Sequence, residues 1–124
     1  NWRLGAWHGY EGKDFEAIVN FENGEVVDQI SIGFLQDNGS WIFIPTEVEF
    51  YVSEFDHKFT KVGVVKSDVE LEDEKVQIKN FTLNIDKTKA VSIRIVGKGI
   101  KECPSWHLGA GGKSWLFADE IVID

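Results

Sequence analysis

Three short stretches concentrate side chains suited to gripping a polar ring. Trp106-His107 stands in a glycine-rich run from Pro104 to Lys113, Trp7-His8-Gly9-Tyr10-Glu11 lies near the start, and Asp37-Asn38-Gly39-Ser40-Trp41 lies between them. A pyranose is recognised by a flat aromatic ring on its C–H face and by amides, carboxylates or imidazoles on its hydroxyls. Trp106 and His107 offer both devices in adjacent residues, and Lys113 adds three donors. Gly109, Gly111 and Gly112 would let the backbone take positive φ and approach a ligand closely. A blander role is open to each: Trp106 plugging the end of a sandwich, His107 bonding a loop carbonyl, Trp7 anchoring the first full strand. His8 and Tyr10 are expected at a loop tip. Trp41, beside Asp37, Asn38 and Ser40, offers a third wall, although the apolar run Trp41-Ile42-Phe43-Ile44 can equally be interior.

Other chemistries fit poorly. Glycoside hydrolysis needs two carboxylates flanking one bond, whereas Asp119 and Glu120 are neighbours that strict alternation sends to opposite faces. Asp14 and Glu16 share a face on which solvated charge is the ordinary state. A phosphate loop needs a glycine five residues before Gly112, where His107 stands, and the run leads into a strand instead of a helix. His8, His57 and His107 show no zinc spacing, and Cys103, the one cysteine, has no electropositive neighbourhood to activate it.

These loops need a rigid support, and the rest of the chain supplies one. Period-two alternation dominates: Phe15, Ala17, Val19 and Phe21; Ile30, Ile32 and Phe34; residues 47–53; Phe59 to Val65; Val91, Ile93 and Ile95; and Trp115 to Ile123. Within Lys75 to Ile85 the apolar phase shifts near Asn80, which predicts a bulge there. Glu22-Asn23-Gly24 and Asp56-His57-Lys58 read as turns, and the acidic stretch 67–75 reads as a solvated loop. About seven short strands and no helix imply an all-β sandwich or barrel. The 124 residues suit one domain over 1–124, and 43% hydrophobic content supports a core. Thirteen basic against 21 acidic residues give a net charge of -8, which opposes nucleic acid and anionic membranes as partners. No apolar run approaches the length of a membrane span. The absence of any Met, with Asn1 first, is expected of a piece cut from a longer chain.

The run Trp2 to Phe15, the run Phe34 to Pro45, the segment Cys103 to His107 and the run Gly109 to Ile121 together resemble the discoidin-type (coagulation factor V/VIII type C) module at the C-terminus of bacterial β-N-acetylhexosaminidases, or chitobiases. That module is related to the family 32 carbohydrate-binding modules. The resemblance covers nearly the whole chain. It implies an antiparallel jelly-roll β-sandwich of the galactose-binding-domain type, a non-catalytic accessory domain tied to a family 20 glycoside hydrolase. Its partners would be that hydrolase's catalytic domain and a glycan ending in N-acetylglucosamine, N-acetylgalactosamine or galactose, in a secreted, periplasmic or cell-surface setting. The sugar-binding residues expected are Trp7, His8, Tyr10, Asp37, Trp41, Trp106, His107 and Lys113. Related modules hold a structural calcium with a glutamate near the last strand, which Glu120 matches, while the opening strand and Asp-Gly loop that would share the ion are expected to be missing from this chain. The alternative is a structural domain that packs on the catalytic domain and binds no sugar.

Overall fold

The computed structural model describes residues 2–124, and at positions 5–8 only the backbone. Among the described residues six strands form, β1 (Trp2–Glu11), β2 (Phe15–Gln36), β3 (Glu47–Ser53), β4 (Phe59–Lys66), β5 (Gln77–Lys98) and β6 (Trp115–Ile123). A three-residue 3-10 turn, Asn38–Ser40, is the one helical element among the described residues, and none of them forms a helix long and apolar enough to cross a membrane.

All neighbouring strands are antiparallel, in the order β1-β6-β2-β5-β3-β4. β2 and β5 are 22 residues each, long enough to serve two layers. Residues 29–36 of β2 and 77–84 of β5 lie with β6 and β1 in one layer. Residues 15–20 of β2 and 92–98 of β5 lie with β3 and β4 in the other. With β2 and β5 each taken as two segments, the eight run 1-8-3-6 in one layer and 5-4-7-2 in the other. That interleaving is the jelly-roll topology. The layers meet through rings: Phe15 of one packs edge-on against Phe34 of the other at 5.3 Å, and Phe34 in turn packs on Phe81 of its own layer at 5.9 Å.

The expected alternation is visible in burial. Phe15, Val19 and Phe21 point inward, as do Ile30, Ile32, Phe34, Ile93 and Ile95. The change of phase between Val27 and Ile30 has a cause in the ladder, which shifts register between Val27 and Gln29. A second shift lies between Asn20 and Glu25, where Gly24 takes φ +75°. The expected turn at Glu22-Asn23-Gly24 is therefore a corner at which the strand passes from one layer to the next. The bulge expected near Asn80 is absent. Pairing runs unbroken from Gln77 to Asn84, and Val76 and Ile78 simply face solvent. The Asp56-His57 turn is present, with both residues at φ +53° and the Lys58 N–H donating to the Phe55 carbonyl, a primed turn that suits the twist of a hairpin.

Strict alternation fails once more in β6. Ala118 and Ile121 are both buried, so Asp119 and Glu120 sit on a bulge, and the registers with β1 and β2 both shift there. The two carboxylates still do not converge, though for a different reason than simple alternation. Asp119 lies against Gly33 of β2, and Glu120 bonds Arg3 of β1, on the other flank of β6.

Candidate functional site

At one pole of the sandwich the segments 37–46 and 99–114 come together above the ends of β2 and β6. The first begins with Asp37, whose backbone bridges to Ile42 and whose Oδ2 accepts a bond from the Ser40 hydroxyl at 3.0 Å. Trp41 then takes a left-handed conformation, φ 66°, fixed by its N–H on the Asn38 carbonyl and its own carbonyl under the Trp115 N–H. The second segment is bonded to itself. Glu102 bridges Lys113, the Cys103 N–H donates to Gly112, and the Ser114 N–H donates to Lys101. Cys103 is buried, and burial pushes its thiol upward, which keeps it protonated and inert.

His107 joins the two segments. Its Nδ1 accepts the Gly109 N–H at 2.8 Å, so in the neutral ring the proton sits on Nε2 and is donated to the Asn38 carbonyl. Both ring nitrogens are thus spent on backbone. Of the two roles open to His107, the structure gives it the bond to a loop carbonyl. Its ring stands edge-to-face with Trp41, Phe43 and Trp106.

Trp41, Trp106 and His107 border a concavity of about 220 Å³ that is also lined by Asn38, Gly39, Glu74 and Leu108, with Phe43 buried behind them. Trp106 and Trp41 keep 47% and 41% of their surface open to solvent, and Leu108 is fully exposed. The glycines serve a different end from the one expected. Gly111 does adopt positive φ, at +83°, but Gly109 and Gly112 are small because the Trp41 indole rests on them, a built Cβ approaching its ring to 2.5 and 2.8 Å. They make a seat for Trp41, not an approach for a ligand.

Other expected site residues lie elsewhere. Tyr10 is within β1, not at a loop tip; its ring packs on Phe15 at 5.0 Å and its hydroxyl donates to the Glu16 carbonyl. The Lys113 stem lies over Gly12, and neither Lys113 nor Asp37 lines the concavity. Trp7 and His8 have side chains outside the described residues. Of the other lining residues, Asn38 belongs to the expected wall beside Trp41, whereas Glu74 and Leu108 are not among the expected site residues. Asn38 gives its amide protons to the Leu71 and Asp73 carbonyls, and buried Gln36 gives its own to Glu70 and Asp73. These bonds fasten the acidic loop against the first segment and bring Glu74 to the rim.

Glu120, the expected calcium ligand, accepts a bond from Arg3 at 3.0 Å. Among the described residues no three His, Cys, Asp or Glu side chains gather in a way that could hold a metal. Calcium wants six to eight oxygens, backbone carbonyls as well as carboxylates, and Glu120 supplies one carboxylate, held by a guanidinium. Asp14 and Glu16 are likewise engaged, with Lys98 and Lys101 and with Arg94.

No family model and no curated protein matches this sequence. Among solved structures it is similar to the domain CpGH89CBM32-5 of Clostridium perfringens, solved in complex with GalNAc-β-1,3-galactose, at 20% identity and a TM-score of 0.49. The match covers 84% of this chain and 64% of that one, so the chain spans a little under two-thirds of its neighbour's length.

Proposed function

We propose that this chain is a non-catalytic carbohydrate-binding module whose ligand, a terminal sugar, rests on Trp41 and Trp106. One observation carries the reading. A bond between His107 and Asn38, 69 residues apart in sequence, staples two segments so that two half-exposed indoles border one concavity. Ordering exposed Trp rings costs free energy that only a purpose or a cover offsets, and a shallow aromatic rim with a carboxylate beside it suits a pyranose. Affinity at such an open site should be weak, roughly 0.1–1 mM. The loop resemblance supports a bacterial family 20 β-N-acetylhexosaminidase as the parent, with the module holding the enzyme near glycan by raising effective concentration outside the cell.

A second reading has its own support. Leu108, wholly exposed beside Trp106, is the kind of residue that another protein domain covers. The rim would then pack on the catalytic domain and bind no sugar. A glycan array on the chain, followed by titration of the best hit, separates the two. We expect binding to glycans ending in N-acetylglucosamine, N-acetylgalactosamine, galactose or their close derivatives, lost in Trp106→Ala with little change in melting temperature. A flat array with folded protein favours the structural reading.

A further inference from the structure

The concavity is lopsided in its hydrogen-bonding capacity. Asn38 spends its amide protons on Leu71 and Asp73 carbonyls. His107 spends one nitrogen as acceptor and one as donor. No lysine or arginine lines the space, so the only side-chain donors left among the lining residues are the two indole N–H groups. On the acceptor side stands the Glu74 carboxylate, which makes no hydrogen bond or ion pair among the described residues. A carboxylate can take several donors at once, and an ammonium supplies three. Indole faces beside it attract the same cation. An acetamido group, with one N–H and a carbonyl that needs a donor, matches this lining less well.

Building on the carbohydrate-binding reading, we infer that the site prefers a hexosamine whose amine is free and protonated over the N-acetylated sugar, with Glu74 as the counter-charge and Trp106 as the platform. The net charge of -8 adds a field that concentrates cations near the rim. Glu70, Glu72 and Asp73 share the loop with Glu74 and act in the same sense, whereas Lys75, next along the chain, does not line the concavity.

The test is calorimetric titration of the chain with a β-1,4-linked tetramer of glucosamine, its fully N-acetylated counterpart, and spermine as a cation without a sugar face. A sugar amine titrates near the α-amino range, about 8, so it is charged at about pH 6 and neutral at about pH 9. We expect the amine tetramer to bind about ten-fold tighter at the lower pH, as one charge-assisted hydrogen bond provides. Glu74→Gln and the higher pH should each erase that advantage, and Trp106→Ala should abolish binding of both tetramers. Equal binding of the two tetramers, or an advantage that survives Glu74→Gln, overturns the inference while leaving sugar binding intact. Spermine matching the amine tetramer, with Trp106→Ala silent, overturns it as charge attraction alone. Failure of both tetramers on a flat array overturns the underlying reading as well.

Discussion

Gly109 lies beneath the indole of Trp41 so closely that a β-carbon there would stand 2.5 Å from Cε2. A methyl group at 109 must push the ring off its seat. Gly109→Ala should cost about 1–3 kcal/mol, the usual penalty of overpacking, and should change Trp fluorescence and weaken glycan binding. Gly111→Ala is the contrast: nothing lies within 4 Å of it, so only its positive φ is strained, at about 1 kcal/mol. Denaturant titration of both variants checks the order, and a Gly109→Ala protein as stable as the parent would show that Trp41 sits elsewhere.

Gln36 is fully buried, and its side chain makes three bonds, donating to the Glu70 and Asp73 carbonyls and accepting from the Ile44 N–H. Gln36→Leu keeps the bulk but leaves those backbone groups unpaired, for a loss of about 2–3 kcal/mol. Hydrogen exchange should accelerate across residues 67–75, because the loop loses its anchor.

The bonds of His107 fix its tautomer. A long-range nitrogen–proton correlation spectrum of the neutral ring should show the proton on Nε2, donated to Asn38. A spectrum with the proton on Nδ1 would contradict the bond from Gly109. His107→Ala should loosen both loops and lower sugar affinity even though neither ring nitrogen is available to a ligand.

On the outer face of the second layer, the Lys61 ammonium donates to Glu49 at 2.8 Å and holds its carboxyl below the ordinary value of 4.5, with Tyr51 and Lys98 assisting against some desolvation. A depressed carboxylate stabilises the fold at pH above its unfolded value and loses that contribution as pH falls through the folded one. Glu49→Gln should therefore melt lower than the parent at pH 7. The gap should shrink steadily below pH 4.5.

Arg3 and Glu120 form an exposed pair, so Glu120→Gln should cost under about 1 kcal/mol. Calcium or a chelator should leave the melting temperature of this chain unchanged. A calcium-dependent rise of several degrees would point to a cage made mainly of backbone carbonyls, since no three His, Cys, Asp or Glu side chains gather among the described residues.

Much of the scaffold was legible because period-two burial is local. Phe15, Val19, Ile93 and Ile95 announce their faces within a few residues, and the strands from Glu47 and from Trp115 begin where the pattern begins. The corners were harder to read. Val76 and Ile78 are apolar and exposed, and counting them as interior placed a bulge near Asn80 where the ladder is regular. At the site, Trp41, Trp106 and His107 were identifiable by type, and they do meet. The roles of Gly109, Asn38 and Glu74 depend on partners 30 to 70 residues away in sequence, as in the Asn38 bonds to Leu71 and His107, and no local pattern carries that information. Tyr10 was misplaced because its strand continues to Glu11, further than the aromatic cluster suggested.

Trp2 stands opposite Ile123 at one end of the β1–β6 ladder, and Glu11 opposite Trp115 at the other, beneath the aromatic rim. Both ends of the described chain thus leave the molecule on the side facing away from the indoles. A polypeptide joined at either end would act as a stalk, leaving Trp41 and Trp106 presented outward like the head of a probe. Such a head can sample a polymer surface without its own tether blocking the approach.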